Sequence, residues 1–177
     1  RALLEGIKKF KKGPCHIVAP QCSRTRKAGG RGTWEASDLD LLLKGLSSSL
    51  NFDSKRIYLT GNSMGGYGSW TWGGKSPQHF AAIAPVVGGI GPGGPKDVTP
   101  DLDQWAANLA KVPVYAFAGA NDRVVPAERS ERMVNAIRKA GGKLAKIKVY
   151  QDQGHNARQV VYSSKEFYDW MFAQKRK

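Results

Sequence analysis

Short apolar runs separated by longer polar stretches recur along this chain: Cys15–Ala19 (CHIVA), Arg56–Thr60 (RIYLT), Ala81–Val87 (AAIAPVV), Val112–Ala118 (VPVYAFA) and Ala145–Tyr150 (AKIKVY). A strand that is apolar at successive positions has no solvent face, so it must be covered on both sides. Strands covered on both sides and alternating with helices form a parallel sheet. The expectation is therefore an α/β fold, a mostly parallel sheet with helices on both faces. At 177 residues and 41% apolar content the chain suits one globular domain, residues 1–177. An 18-residue apolar run is absent, which excludes a membrane-spanning helix.

The intervening stretches read as helices. Leu39, Leu42, Leu43, Leu46 and Leu50 fall on one face of a 3.6-residue period, with Ser37 as the expected N-cap. Ala2–Lys12 reads as a short helix with a lysine-rich outer side, and a helix is expected from the turn after Thr60 to about Lys75. Pro126 is placed at the first position of another helix, which Gly141-Gly142 closes, and a last helix runs from about Val160 to the end. Pro20 to Thr33 is a polar, Gly- and Arg-rich loop. Residues 88–100 are dense in Gly and Pro, and 88–108 is a candidate cap, with a long surface loop as the alternative.

Gly61-Asn62-Ser63-Met64-Gly65 matches G-x-S-x-G between an expected strand and an expected helix, the context in which the motif has chemical meaning. A sharp strand-to-helix turn would hold the serine in strained backbone with Oγ exposed, and small neighbours at Gly61, Gly65 and Gly66 would let other strands approach. The N–H groups at the start of the helix, Met64 first, would point where an oxyanion develops. Serine needs a base, and the base an orienting group. Of the three histidines, His16 falls within an expected buried strand and His79 near a helix end, whereas His155 follows the last strand at the sheet's carboxyl edge. Asp122, after the strand 112–118, is the favoured acid over Asp152, which is too close to His155 along the chain to approach its ring easily from the far side.

The segments VAPQC, RIYLTGNSMGGYGSW, FAAIAPVVGG, AFAGANDRVVP and QDQGHN resemble the α/β-hydrolase superfamily, in the predicted-peptidase and carboxylesterase branch near polyhydroxybutyrate depolymerases and feruloyl esterases. The resemblance implies ester or acyl-bond hydrolysis through an acyl-enzyme on Ser63, with Asp122 and His155 completing the triad and the Met64 N–H as one oxyanion donor. Family members carry, ahead of the strand matching 15–19 along the chain, a further strand ending in a His-Gly loop that supplies the second donor, and in the sheet it lies between the strands matching 15–19 and 56–60. With no such segment present, the chain is expected either to be the C-terminal portion of a longer enzyme, lacking the fold's N-terminal strands, or to pair 15–19 directly with 56–60. Gln21, Cys22, Trp34 and Tyr67 are candidate substrate contacts, and Trp70 and Trp72 could add to an aromatic wall, for a small ester that is carbohydrate- or phenolic-linked. Core packing is the alternative for the aromatics.

The sequence offers no zinc-ligand spacing, P-loop or dinucleotide fingerprint, so neither metal nor cofactor is expected. The net charge of +14 belongs to the ends: residues 1–33 carry nine bases against one acid and 108–177 fourteen against six, while 34–107 carry five against seven. Basic runs at Lys8–Lys12, Arg24–Arg31 and Lys175–Lys177 make a polyanion- or nucleic-acid-binding domain, or an inactive pseudo-hydrolase, the rival reading. A nucleic-acid partner is disfavoured because no recognition motif accompanies the charge, and no membrane partner is expected. Cys15 and Cys22 lie too far apart for a disulfide if the segment between them is extended, which favours a cytoplasmic setting over a secreted one.

Overall fold

The structure, a computed structural model, describes residues 1–22, 33–92, 94 and 96–177. Arg24, Arg26, Lys27 and Arg31, with most of the expected 20–33 loop, lie outside the described residues.

Four strands, β1 (Tyr58–Asn62), β2 (Ala82–Val86), β3 (Val114–Gly119) and β4 (Ala145–Tyr150), form one parallel sheet in the order β1-β2-β3-β4. Helices α3 (Met64–Lys75), α4 (Leu102–Leu109) and α5 (Ala127–Lys139) make the successive crossovers. They bury Trp70, Leu109, Met133 and Ile137 against Ile83 and Val114 on one face of the sheet. On the other face Ala84, Val86 and Phe117 meet α6 (Arg158–Tyr162) and α7 (Lys165–Ala173) through Val161, Phe167, Tyr168 and Met171. Helix α1 (Ala2–Phe10) joins this second layer, with Leu3, Ile7 and Phe10 turned inward. Helix α2 (Ala36–Ser49) buries Leu39 and Leu43 and leans on α3. Every position of β2 and β3 is buried, as the continuous apolar runs require.

The expected strand at 15–19 does not form. Residues 13–20 are exposed and carry no ladder, and the outer edge of β1 has no strand beside it among the described residues. The two segments therefore do not close up, and His16, expected in a buried strand, is exposed with a ring nitrogen 3.1 Å from the carbonyl of Asn51. Strand propensity expresses itself only against a paired and covering neighbour, and among the described residues CHIVA has no strand beside it and is exposed at every position. No disulfide joins Cys15 and Cys22.

Smaller differences concern boundaries. Helix α2 starts after Glu35, so Ser37 lies in its first turn and is not its cap. Pro126 precedes α5 in extended backbone, one residue before the helix. The final helix divides into α6 and α7 at Ser163–Ser164. Within the candidate cap 88–108, Gly88, Gly89 and Ile90 are buried, and from Leu102 onward the chain forms α4, whose Trp105, Ala106 and Leu109 pack inward. Residues 93 and 95, within this stretch, are outside the described residues.

Candidate active site

The turn that carries the candidate nucleophile begins where β1 ends. Ser63 has φ 54° and ψ −113°, a left-handed conformation that side chains rarely adopt, and α3 starts at the next residue. Its backbone is held on both sides: the Ser63 N–H donates to Val86 O at 3.0 Å, and its carbonyl accepts from Tyr67 N–H at 3.0 Å. Two glycines make the turn sterically possible. A side chain on Gly61 would strike the backbone of Gly65, and a Cβ on Gly66 would sit 2.6 Å from Val86 O and 2.7 Å from the Gly88 Cα. Gly65 is different, since a Cβ there would meet open space, so the close approach of β2 is enforced at Gly66 and Gly88.

Two loops at the same edge of the sheet converge on this serine. His155, in the turn after β4, places Nε2 2.8 Å from Ser63 Oγ, and its Nδ1 lies 2.8 Å from Asp122 Oδ2, in the turn after β3. A carboxylate only accepts, so Nδ1–H donates to Asp122, and the neutral ring leaves Nε2 free to accept from the serine hydroxyl. The Asp122 side chain is 1% exposed, and its other oxygen, Oδ1, accepts from the N–H groups of Val124 and Val125 at 2.8 and 2.9 Å. The two turns interlock: Asn121 N–H donates to Gln153 O at 2.9 Å, Asn121 Nδ2 to Gln151 O at 2.9 Å, and a Cβ on Gly119 would lie 2.5 Å from the carbonyls of Gln153 and Gly154. Asp152 is exposed, His16 sits on Asn51, and His79 pairs with Asp40, so none of these three joins the serine.

With this geometry stand the comparisons. The sequence profile of the Dienelactone hydrolase family matches residues 29–163, three quarters of the chain. The chain belongs to the dienelactone hydrolase family. It is 35% identical over 109 residues to the "Putative carboxymethylenebutenolidase" of Salmonella typhimurium strain LT2, covering 58% of this chain and 37% of that protein. Among solved structures a thermostable esterase superimposes with a TM-score of 0.67 and 29% identity over 79% of this chain and 36% of the esterase. The acylaminoacyl peptidase of Pyrococcus horikoshii shares the fold alone, at 18% identity and a TM-score of 0.58 over 77% of this chain and 26% of the peptidase. This dienelactone hydrolase family chain thus spans between a third and two fifths of the length of the curated relatives it matches.

The four suggested substrate contacts of this family member fall in two places. Gln21, Cys22 and Trp34 line a cavity of about 120 Å³ between residues 20–22 and α2, together with Glu35 and Asp38. Cys22 Sγ is 3.3 Å from Thr33 O. Trp34 donates Nε1–H to Met64 O at 3.0 Å and lays its ring where a Cβ on Gly68 would come within 2.7 Å, so the indole braces the first turns of α3. Tyr67 packs against Gly89. The other tryptophans are structural: Trp70 is fully buried, and Trp72 donates to Asp40 Oδ1 at 2.7 Å. Asp40 also accepts from Ser76 at 2.8 Å and from His79 at 3.0 Å, pinning α2 to the end of α3. Burial raises its pKa, and the hydrogen bonds from Trp72, Ser76 and His79 together with the charge of His79 more than reverse that, leaving it below the usual carboxylate value. Neither the brace by Trp34 nor the Asp40 pin was legible in sequence, because each joins residues 30 or more positions apart.

Proposed function

We propose that this chain is a carboxylesterase-like serine hydrolase that cleaves a small ester through an acyl-enzyme on Ser63. The observation that carries the reading is the continuous hydrogen-bond chain from Ser63 Oγ through both nitrogens of His155 to buried Asp122. In the first half-reaction Nε2 takes the hydroxyl proton as Oγ bonds to the ester carbonyl carbon. Asp122, fixed by two backbone donors, then faces an imidazolium and stabilises it. Charge on the former carbonyl oxygen meets the N–H of Met64. That group lies at the start of α3, ahead of the first intrahelical bond made by Tyr67, and so has no helical acceptor of its own. Collapse breaks the ester C–O bond, and the alcohol leaves with the proton from Nε2. Water then repeats the sequence, Nε2 taking its proton and returning it to Ser63 as the acid departs. Each step is acid–base or acyl chemistry between these side chains and the ester.

The VAPQC, elbow and QDQGHN segments support a placement near the polyhydroxybutyrate depolymerases and feruloyl esterases, and with it a carbohydrate- or phenolic-linked ester. A panel of 4-nitrophenyl acetate, feruloyl methyl ester and acetylated sugar separates these by kcat/KM. The primary test is labelling with a fluorophosphonate probe: wild type labels and Ser63→Ala does not. Absence of label in a folded wild-type chain overturns the reading. Hydrolysis of 4-nitrophenyl acetate is expected to fall at least about 10⁴-fold in Ser63→Ala.

A further inference from the structure

The sequence assigns the positive charge to the two ends of the chain, and the fold brings those ends together. Phe10 of α1 stacks on Tyr168 of α7 at 5.4 Å, and the Lys11 ammonium lies 5.3 Å from the Phe172 ring centre. The segment after α7 continues across the start of β1: Tyr58 donates to Gln174 O at 2.9 Å, and Arg176 N–H to Lys55 O at 2.9 Å. The C-terminal ends of α1 and α7 therefore lie where β1 begins, at the edge of the sheet opposite Ser63. Arg56 and Ser63 are seven residues apart along an extended segment, about 23 Å.

The same edge is cationic along the whole sheet. In a sheet ordered β1-β2-β3-β4, each crossover helix returns the chain to this edge. Lys55 precedes β1, Lys75 closes α3 ahead of β2, Lys111 precedes β3 and Lys143 precedes β4, all exposed. Sequential strand order sets these lysines in a row beside Lys12 and Lys175. The connections at 50–57, 76–81, 110–113 and 140–144 hold one acid, Asp53, already shared by Arg56 at 3.6 Å and Lys175 at 3.7 Å. The neighbouring arginines are committed to backbone: Arg56 donates to Phe172 O, Arg138 to Ala145 O and Arg176 to Ser54 O. The exposed lysines supply ammonium point charges suited to phosphates, while the arginines described at this edge have their forks on backbone carbonyls and not on an incoming base. A lipid surface fits less well, because the apolar side of α1 is already packed against α7 and supplies no inserting wedge.

We propose that the strand-start edge of the sheet binds the sugar–phosphate backbone of nucleic acid, without regard to base sequence and independently of the serine site. The test uses fluorescence anisotropy with a labelled 20-nucleotide oligodeoxythymidine and the intact chain. Four phosphate contacts on a single strand predict a log–log salt slope near −3, so affinity falls about 50-fold between 50 and 200 mM salt. The fourfold variant Lys12→Gln, Lys55→Gln, Lys111→Gln, Lys143→Gln is expected to bind at least roughly 10-fold more weakly at 50 mM, with a flattened slope. A control that removes equal charge elsewhere, Arg1→Gln, Lys44→Gln, Arg132→Gln, Lys165→Gln, keeps most of the affinity. Saturating oligonucleotide leaves fluorophosphonate labelling of Ser63 unchanged. Equal weakening in both fourfold variants, loss of labelling on adding oligonucleotide, or sedimentation with phosphatidylserine vesicles without oligonucleotide binding would each overturn the proposal. Failure of the serine to label in the absence of oligonucleotide would count against the hydrolase reading alone.

Discussion

The two halves of the site rest on strands of opposite character. Asp122 follows β3, which is paired on both sides and buried at every position, whereas Ser63 follows β1, which is half-buried throughout and, among the described residues, paired only with β2. The acid–base half is fixed by the sheet and by interlocked turns, with Asn121 bonded to Gln151 and Gln153. The nucleophile half has less ladder to hold it, and its rigidity comes from close contacts of Gly66 with Val86 and Gly88 and from the Trp34 brace on α3. One end of the relay is held by burial, the other by steric fit.

Breaking the buried half is expected to have the largest effect. Asp122→Asn retains an oxygen for the Val124 and Val125 N–H groups but removes the charge opposite His155 and allows the wrong tautomer, so kcat should fall about 10³–10⁴-fold with the fold preserved. Steady-state kinetics with 4-nitrophenyl acetate beside a circular dichroism spectrum separates the two. If activity survives within tenfold, Asp122 is not the orienting acid. The fitted half is probed by a pair of glycines. Gly66→Ala drives a methyl into the backbone of β2 and is expected to cost about 2–3 kcal/mol, the range of overpacked or strained sites, together with most of the activity. Gly65→Ala, with open space at the same turn, should be within about 1 kcal/mol of wild type in urea unfolding. Equal effects at both positions would mean that contact with β2 does not fix the elbow.

A smaller effect is expected at the brace. Trp34→Phe keeps much of the ring against Gly68 but loses the hydrogen bond to Met64 O, worth about 1 kcal/mol. Because Met64 carries the proposed oxyanion donor, the loss should appear in kcat more than in KM, by a fewfold. A change confined to KM would instead place Trp34 in contact with substrate.

The same division explains what could be read from sequence. β2, β3 and the Asp122 and His155 turns were legible because an apolar run needs two covers, and a turn after a strand's carboxyl end faces the site whatever else the chain does. CHIVA satisfied the composition of a strand but not the requirement for a partner, which is set by residues distant in sequence. Helix α4 was hidden by the Gly- and Pro-dense residues before it, although Leu102, Trp105, Ala106 and Leu109 fall at i, i+3, i+4 and i+7. Trp34 carried no local sign of bracing α3, since its acceptor lies 30 positions away.

The least effect, and the one best separated from catalysis, belongs to the pin between α2 and α3. Trp72, Ser76 and His79 donate to Asp40 and favour its ionised form, so the folded state holds that carboxyl below its ordinary value near 3.8. A carboxyl with a depressed folded pKa contributes stability above the unfolded value and loses it as pH falls through the folded one. The contribution is therefore present at neutral pH and disappears below about pH 4. Partial exposure and solvent screening keep it modest. Asp40→Asn should lower Tm at pH 7 by a few degrees and flatten the acid limb of the Tm–pH curve. Fluorophosphonate labelling should stay intact, because α3 is still held at its other end by Trp34 and Gly66. A parallel downward shift at all pH values would assign the loss to packing and not to the charge of Asp40.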